Sequence, residues 1–151
     1  MSTGRVRRRE VGLCPTSSEV YCFDTDVASA LLRTNPPLGL VNRVSLVPQE
    51  EHHTTSITVA ELLYGAERAS NLKLVARVHE RVLRAQVIVP FDAPAAEIYA
   101  ALRVGLERGG RRLADPDLMI ASICLSRDLT LVTGNVRHFS RVPDLRVENW
   151  L

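Results

Sequence analysis

Short apolar runs alternate with amphipathic segments of helical period along this chain. That alternation limits its fold more than any other feature. Residues 20–24, 54–57, 87–91 and 129–133 read as strands, and 145–148 as a last edge strand. Segments 25–33, 39–46, 58–69, 71–85, 95–108 and 116–127 place apolar residues at helical spacing. Asn35-Pro36-Pro37 ends the first helix, because a proline restricts the residue before it and cannot continue the ladder. Asp92 is placed to cap the fifth helix, with Pro94 tolerated in its first turn. Strands separated by helices imply a mainly parallel sheet covered on both faces. Aromatics make up only 5% of the residues against 46% hydrophobic overall, so the core must be Leu, Val, Ile and Ala, as expected for helices on a parallel sheet.

The 151 residues suffice for one domain, expected over 20–151. Residues 1–19 are basic and aperiodic and are expected to be a flexible extension, either a functional arm or the product of a start codon assigned too far upstream. A net charge of +2 permits nucleic-acid binding without arguing for it. Cys14, Cys22 and Cys124 are an odd set without metal spacing, so reduced thiols are expected, not a disulfide framework. No run reaches the length of a membrane span, and no apolar stretch of signal-peptide length follows the arginines at 5–9. The expected compartment is cytoplasmic. Residues 48–53 read as a polar loop, and His52-His53 as loop histidines and not ligands.

Four polar residues fall at element junctions. Asp24 ends the first strand, Glu61 lies in the first turn of the helix after the second, Asp117 begins the helix before the fourth, and Asn135 follows the fourth. In a parallel sheet all four can converge at one end, beyond the carboxyl ends of the strands, where ligands bind in such folds. An oxygen-rich pocket suits a hard cation such as Mg²⁺ or Mn²⁺. Each acid also has a structural reading. Thr58 and Glu61 fit a capping box, Asp115 or Asp117 suits a helix dipole, and Asp26 can serve the first helix in the same way.

The residues of Tyr21-Cys22-Phe23-Asp24-Thr25-Asp26-Val27, Thr58-Val59-Ala60-Glu61-Leu62-Leu63-Tyr64-Gly65, Asp117-Leu118-Met119-Ile120-Ala121-Ser122 and Leu131-Val132-Thr133-Gly134-Asn135 resemble the four signature blocks of PIN-domain ribonucleases. They look most like the toxin component of VapBC-type toxin–antitoxin pairs, and residues 139–150 are similar to the tail of many such toxins. The resemblance covers about residues 20–151. It implies an α/β fold, a three-layer α/β/α sandwich with a central, mostly parallel five-stranded sheet, and a Mg²⁺- or Mn²⁺-dependent endoribonuclease. By position Asp24, Glu61 and Asp117 match the family's three main acids, Asn135 matches a fourth position, and Thr133 matches a hydroxyl that helps to orient the site. Two departures stand out: Asp26 occupies a position where Asn is common, and Asp115 offers an alternative to Asp117 two residues away. Asp117 is preferred because it precedes Ile120-Ala121 at the family's spacing.

An RNA substrate must approach these acids against its own charge, so flanking cations are needed. Arg108, Arg111, Arg112 and Arg137 are the expected RNA contacts, and Arg33 and Arg68 are candidates for meeting a partner. The resemblance implies a small antitoxin as that partner, with a homodimer or a heterotetramer or larger assembly. Leu63 and Tyr64 are candidates for such surfaces, although core packing is the expected role for either one. Two other readings fit the same residues: a housekeeping RNA-maturation nuclease of the same fold, and a non-catalytic module whose acids only cap helices.

Overall fold

The computed structural model describes residues 19–151, so the expected basic extension lies outside the described residues except for Glu19, and Cys14 lies outside them too. Five strands, β1 (Tyr21–Phe23), β2 (His52–Thr55), β3 (Val87–Val89), β4 (Thr130–Val132) and β5 (Val147–Glu148), form one sheet in the order β3-β2-β1-β4-β5. Every pairing is parallel. Among the described residues seven α-helices flank the sheet: α1 (Thr25–Leu31), α2 (Leu38–Ser45), α3 (Ser56–Arg68), α4 (Leu72–Val78), α5 (Ala93–Arg108), α6 (Asp115–Ser126) and α7 (Val136–Phe139). A 3₁₀ turn, Gln49–Glu51, precedes β2, and α4 widens into a π turn, His79–Leu83.

Strand alternation sorts the core into layers. Cys22 and Leu131 point to one face and pack with Ile120, Ile123 and Cys124 of α6 and Ala95 of α5. Phe23 and Val132 point to the other, against Val27 and Ala30 of α1, Leu40 of α2, and Trp150. Ala28 and Leu32 continue that layer into α3 and α4 through Val59, Leu62 and Val78. The result is the α/β/α sandwich. Residues such as Leu131 and Ile123 are fully buried, and each contributes about 1.5–3 kcal/mol of apolar burial. Cys22 and Cys124 are buried free thiols within it. No helix among the described residues is long and apolar enough to cross a membrane.

Two boundaries differ from expectation. His52 and His53 are not loop residues but the first two residues of β2, opposite Tyr21 and Cys22 of β1. Their rings are satisfied locally: His52 Nε2 lies 2.9 Å from the Val47 carbonyl and His53 Nδ1 lies 3.1 Å from that of Glu51. The second difference is that β2 ends at Thr55 and α3 begins at Ser56, earlier than the β-branched run Ile57-Thr58-Val59 suggests. The cap decides this. The Thr55 hydroxyl accepts the Thr58 N–H at 3.0 Å, so Thr55, and not Thr58, is the N-cap. Glu61 therefore lies in the second turn of α3, out of reach of a capping role.

The topology singles out one crevice. From β1 the chain crosses to β2 on one side, whereas from β4 it crosses to β5 on the other. The strand order reverses between β1 and β4, and in open α/β sheets ligands bind at such a point, beyond the carboxyl ends of the strands. Helices α5 and α6 run antiparallel beneath it. Arg127, just past α6, pairs with Asp92 at the start of α5 at 2.7 Å, while Asp115 at the start of α6 accepts the Tyr99 hydroxyl at 3.0 Å.

Candidate active site

Asp24 follows β1 directly, and its N–H still donates to the Val132 carbonyl of β4 at 3.1 Å, so its backbone is fixed by the sheet. The side chain turns into the first turn of α1, where Oδ1 accepts the Val27 N–H at 2.9 Å. As an N-cap it satisfies a helix end. The residue is only 4% exposed, and its carboxyl pKa is pushed up to about 6. Burial is the main cause, and the charges of Asp26 and Asp117 push the same way. Hydrogen bonds from the Thr133 hydroxyl and the Val27 N–H act against it.

Thr133 is fully buried at the end of β4. Its oxygen accepts the Asn135 N–H at 3.0 Å, which leaves its own O–H for the Asp24 carboxyl. The Asn135 side chain is exposed and makes no cap bond to α7. Glu61 reaches back to α1, where its Oε1 accepts the Thr25 hydroxyl at 2.7 Å. Thr25 follows Asp24 in the chain, so Glu61 is tied to the element that Asp24 caps. The Thr58 and Thr55 hydroxyls extend this line at 3.4 and 3.3 Å steps.

The Asp115/Asp117 pair is separated by geometry. Asp115 faces α5, bonded to Tyr99 and 3.4 Å from Arg103. Asp117, half-buried, adds its charge to the field at Asp24, and its Oδ2 lies 3.0 Å from His138 Nε2. Asp26 is exposed in the first turn of α1. Asp24 thus gathers Asp26, Asp117 and Thr133 around it, and Glu61 stands one residue removed, on Thr25. Among the described residues, no group of three or more His, Cys, Asp or Glu is close enough to hold an ion jointly. What the site offers is the Asp24 carboxyl with the Asp117 carboxylate in its field. It fits a hard cation that completes its shell with water, as Mg²⁺ and Mn²⁺ do.

The sequence matches the PIN domain family over residues 21–145. The chain belongs to the PIN-domain family. Ribonuclease VapC2 of Rickettsia felis is 30% identical over 87% of this chain and 98% of its own length. The tRNA(fMet)-specific endonuclease VapC of Shigella flexneri is 34% identical over 86% of this chain and 97% of its own. The structure of DNA-bound VapBC from Salmonella typhimurium superposes with a TM-score of 0.81 at 31% identity, covering 88% of this chain and 99% of that one.

Around the acidic edge of this PIN domain the arginines are unevenly placed. Because α5 and α6 are antiparallel, the α5 end carrying Arg108, Arg111 and Arg112 lies at the same end of the pair as Asp117. All three are exposed; Arg112 lies 3.5 Å from Glu107. Arg137 is exposed on α7, two residues after Asn135. Arg141 joins them, with its Nη1 donating to the Arg112 carbonyl at 3.3 Å. Sequence reading missed Arg141, Thr25 and His138. Thr25 could have been found from its place beside Asp24, and His138 from its one-turn spacing after Asn135. Arg33 and Arg68 are exposed at the ends of α1 and α3. Of the two candidate surface residues, Leu63 packs into the core and Tyr64 is 65% exposed. A cavity of about 950 Å³ opens at the opposite end of the strands, against Tyr21 and Trp150, and two of its arginines are engaged: Arg43 with Glu148 and Arg146 with Asp128.

Proposed function

We propose that this protein is a metal-dependent endoribonuclease, the toxin of a type II toxin–antitoxin pair. The observation that carries the site assignment is the buried Asp24 carboxyl, raised to about 6 and in the field of Asp117 at the strand-order reversal. A carboxylate is costly there unless a cation is at hand. The relatives named as VapC ribonucleases over nearly their whole length support the activity, and the VapBC complex supports a protein partner.

Asp24 and Asp117 would hold the ion, with Glu61 reaching it through water. When bound, Mg²⁺ or Mn²⁺ lowers the pKa of a water and neutralises charge that builds up on the phosphate. Glu61, its Oε1 fixed by Thr25, offers Oε2 to take the proton from the attacking water. The Asn135 amide faces solvent at the lip, where it can donate to a phosphate oxygen. Thr133 holds Asp24 in place, and Asp26 adds negative charge. Arg108, Arg111, Arg112 and Arg137 contact the RNA backbone. The partner is a small antitoxin. Exposed Tyr64 on α3 and Leu38 and Leu46 at the ends of α2 provide apolar surface for it or for a second copy of the chain. The site of action is the cytoplasm, and the nuclease unit is residues 20–151.

Asp24→Asn and Asp117→Asn should each abolish RNA cleavage in Mg²⁺ or Mn²⁺ while circular dichroism stays native. A folded Asp24→Asn protein that cleaves at the wild-type rate would overturn the assignment. Growth arrest on expression, relieved by co-expression of a small neighbouring reading frame, would support the toxin role over RNA maturation.

A further inference from the structure

The contact between Asp117 and His138 joins the two elements that complete the site late in the chain. His138 Nε2 and Asp117 Oδ2 are 3.0 Å apart, and the side chains are 25% and 33% exposed. A carboxylate only accepts, so the proton lies on Nε2 and the bond runs from His138 to Asp117. It takes up Oδ2 and leaves Oδ1 with no partner among the described residues. The histidine itself is well held. Its backbone N–H donates to the Asn135 carbonyl at 3.1 Å, and its ring meets that of buried Phe139 edge-on at 5.8 Å. An exposed surface pair would contribute little. This pair is half-buried and spans two helices, and its acid adds to the charge felt by buried Asp24.

We propose that His138 is a positioning residue of the active site: its Nε2–H fixes the orientation of Asp117 and docks α7, with Asn135 and Arg137, against α6. The inference rests on the reading of Asp117 as an ion-holding carboxylate. A hydrogen bond from outside the ligand set sets the direction and basicity of the ligand it touches, and losing one typically costs about 10–100-fold in metal affinity.

The test uses the full chain and Mn²⁺ alone, followed by titration calorimetry. His138→Ala, and His138→Leu as the variant that keeps volume without the donor, should weaken Mn²⁺ binding about tenfold while the metal-free Tm falls only slightly. His138→Gln, whose amide can donate, should recover most of the loss. In cleavage assays His138→Leu should lower kcat with little change in KM for RNA. Mn²⁺ affinity in His138→Leu within about twofold of wild type overturns the inference, as does a Gln variant as weak as Leu. Asp117→Ala separates the two readings. If it binds Mn²⁺ like wild type, the ligand assignment fails and the role of His138 fails with it. If it loses Mn²⁺ while His138→Leu does not, only the role of His138 fails.

Discussion

Asp24 commits Oδ1 to the Val27 N–H at 2.9 Å and holds its charge where water scarcely reaches. The folded carboxyl titrates at about 6, above its ordinary value of 3.8, chiefly through burial. Between these two values the folded state binds more protons than the unfolded state, so this contribution to stability is fully present below 3.8 and is lost as pH rises through 6. Above that, the ionised group costs the metal-free fold about 3 kcal/mol. Asn caps a helix as well as Asp does and carries no charge. With chelator present, Asp24→Asn should therefore melt several degrees higher than wild type at pH 7.5, and the two should coincide at pH 4. A thermal melt series across that range checks this, and an Asn variant less stable than wild type at pH 7.5 would contradict it.

At the scale of elements, helix α3 shows both what the sequence reveals and what it hides. The alternation of strand and helix survives in the structure, as do the Asp92 cap of α5 and the placement of Asp24 at the end of β1. Each rests on local pattern: apolar period, a capping side chain, a proline stop. What local pattern could not supply is the start of α3, because Ile57, Thr58 and Val59 are β-branched and favour a strand in isolation. The Thr55 cap and the burial of Thr58 and Val59 against neighbouring elements override that preference. His52 and His53 were misread for the same reason: polar side chains in a strand become legible only when the Val47 and Glu51 carbonyls that receive them are known. His138 was hidden because Asp117 lies 21 residues earlier in the chain. Thr55→Ala should cost about 1 kcal/mol in urea denaturation, within the usual range for a lost N-cap. Cleavage should fall more than global stability explains, because Glu61 rides on the same helix.

Across the whole molecule, the C-terminal segment closes the sandwich. Trp150 is 6% exposed, its ring tilted against Tyr21 at 4.8 Å and edge-on to Phe23 at 5.8 Å, with Arg43 over it at 4.8 Å. Its Nε1–H donates to Glu148 at 2.7 Å. Trp150→Ala should cost about 3–5 kcal/mol, a large share of a typical domain's stability, and Trp150→Phe much less. Denaturation followed by circular dichroism reads both, and near-wild-type stability in the Ala variant would show that the tail is dispensable.

The pairing of β1 with β4 joins Tyr21 to Thr130, across most of the chain. Closing so long a loop is slow and has to precede the contacts that reward it. On a ribosome, Asp24 and Glu61 emerge well before Asp117, Thr133 and Asn135 exist. The acidic edge is therefore a product of the last stage of synthesis, and a chain released early carries carboxylates without the partners that would make them a site. The strand order thus ties completion of the acidic site to a nearly complete chain.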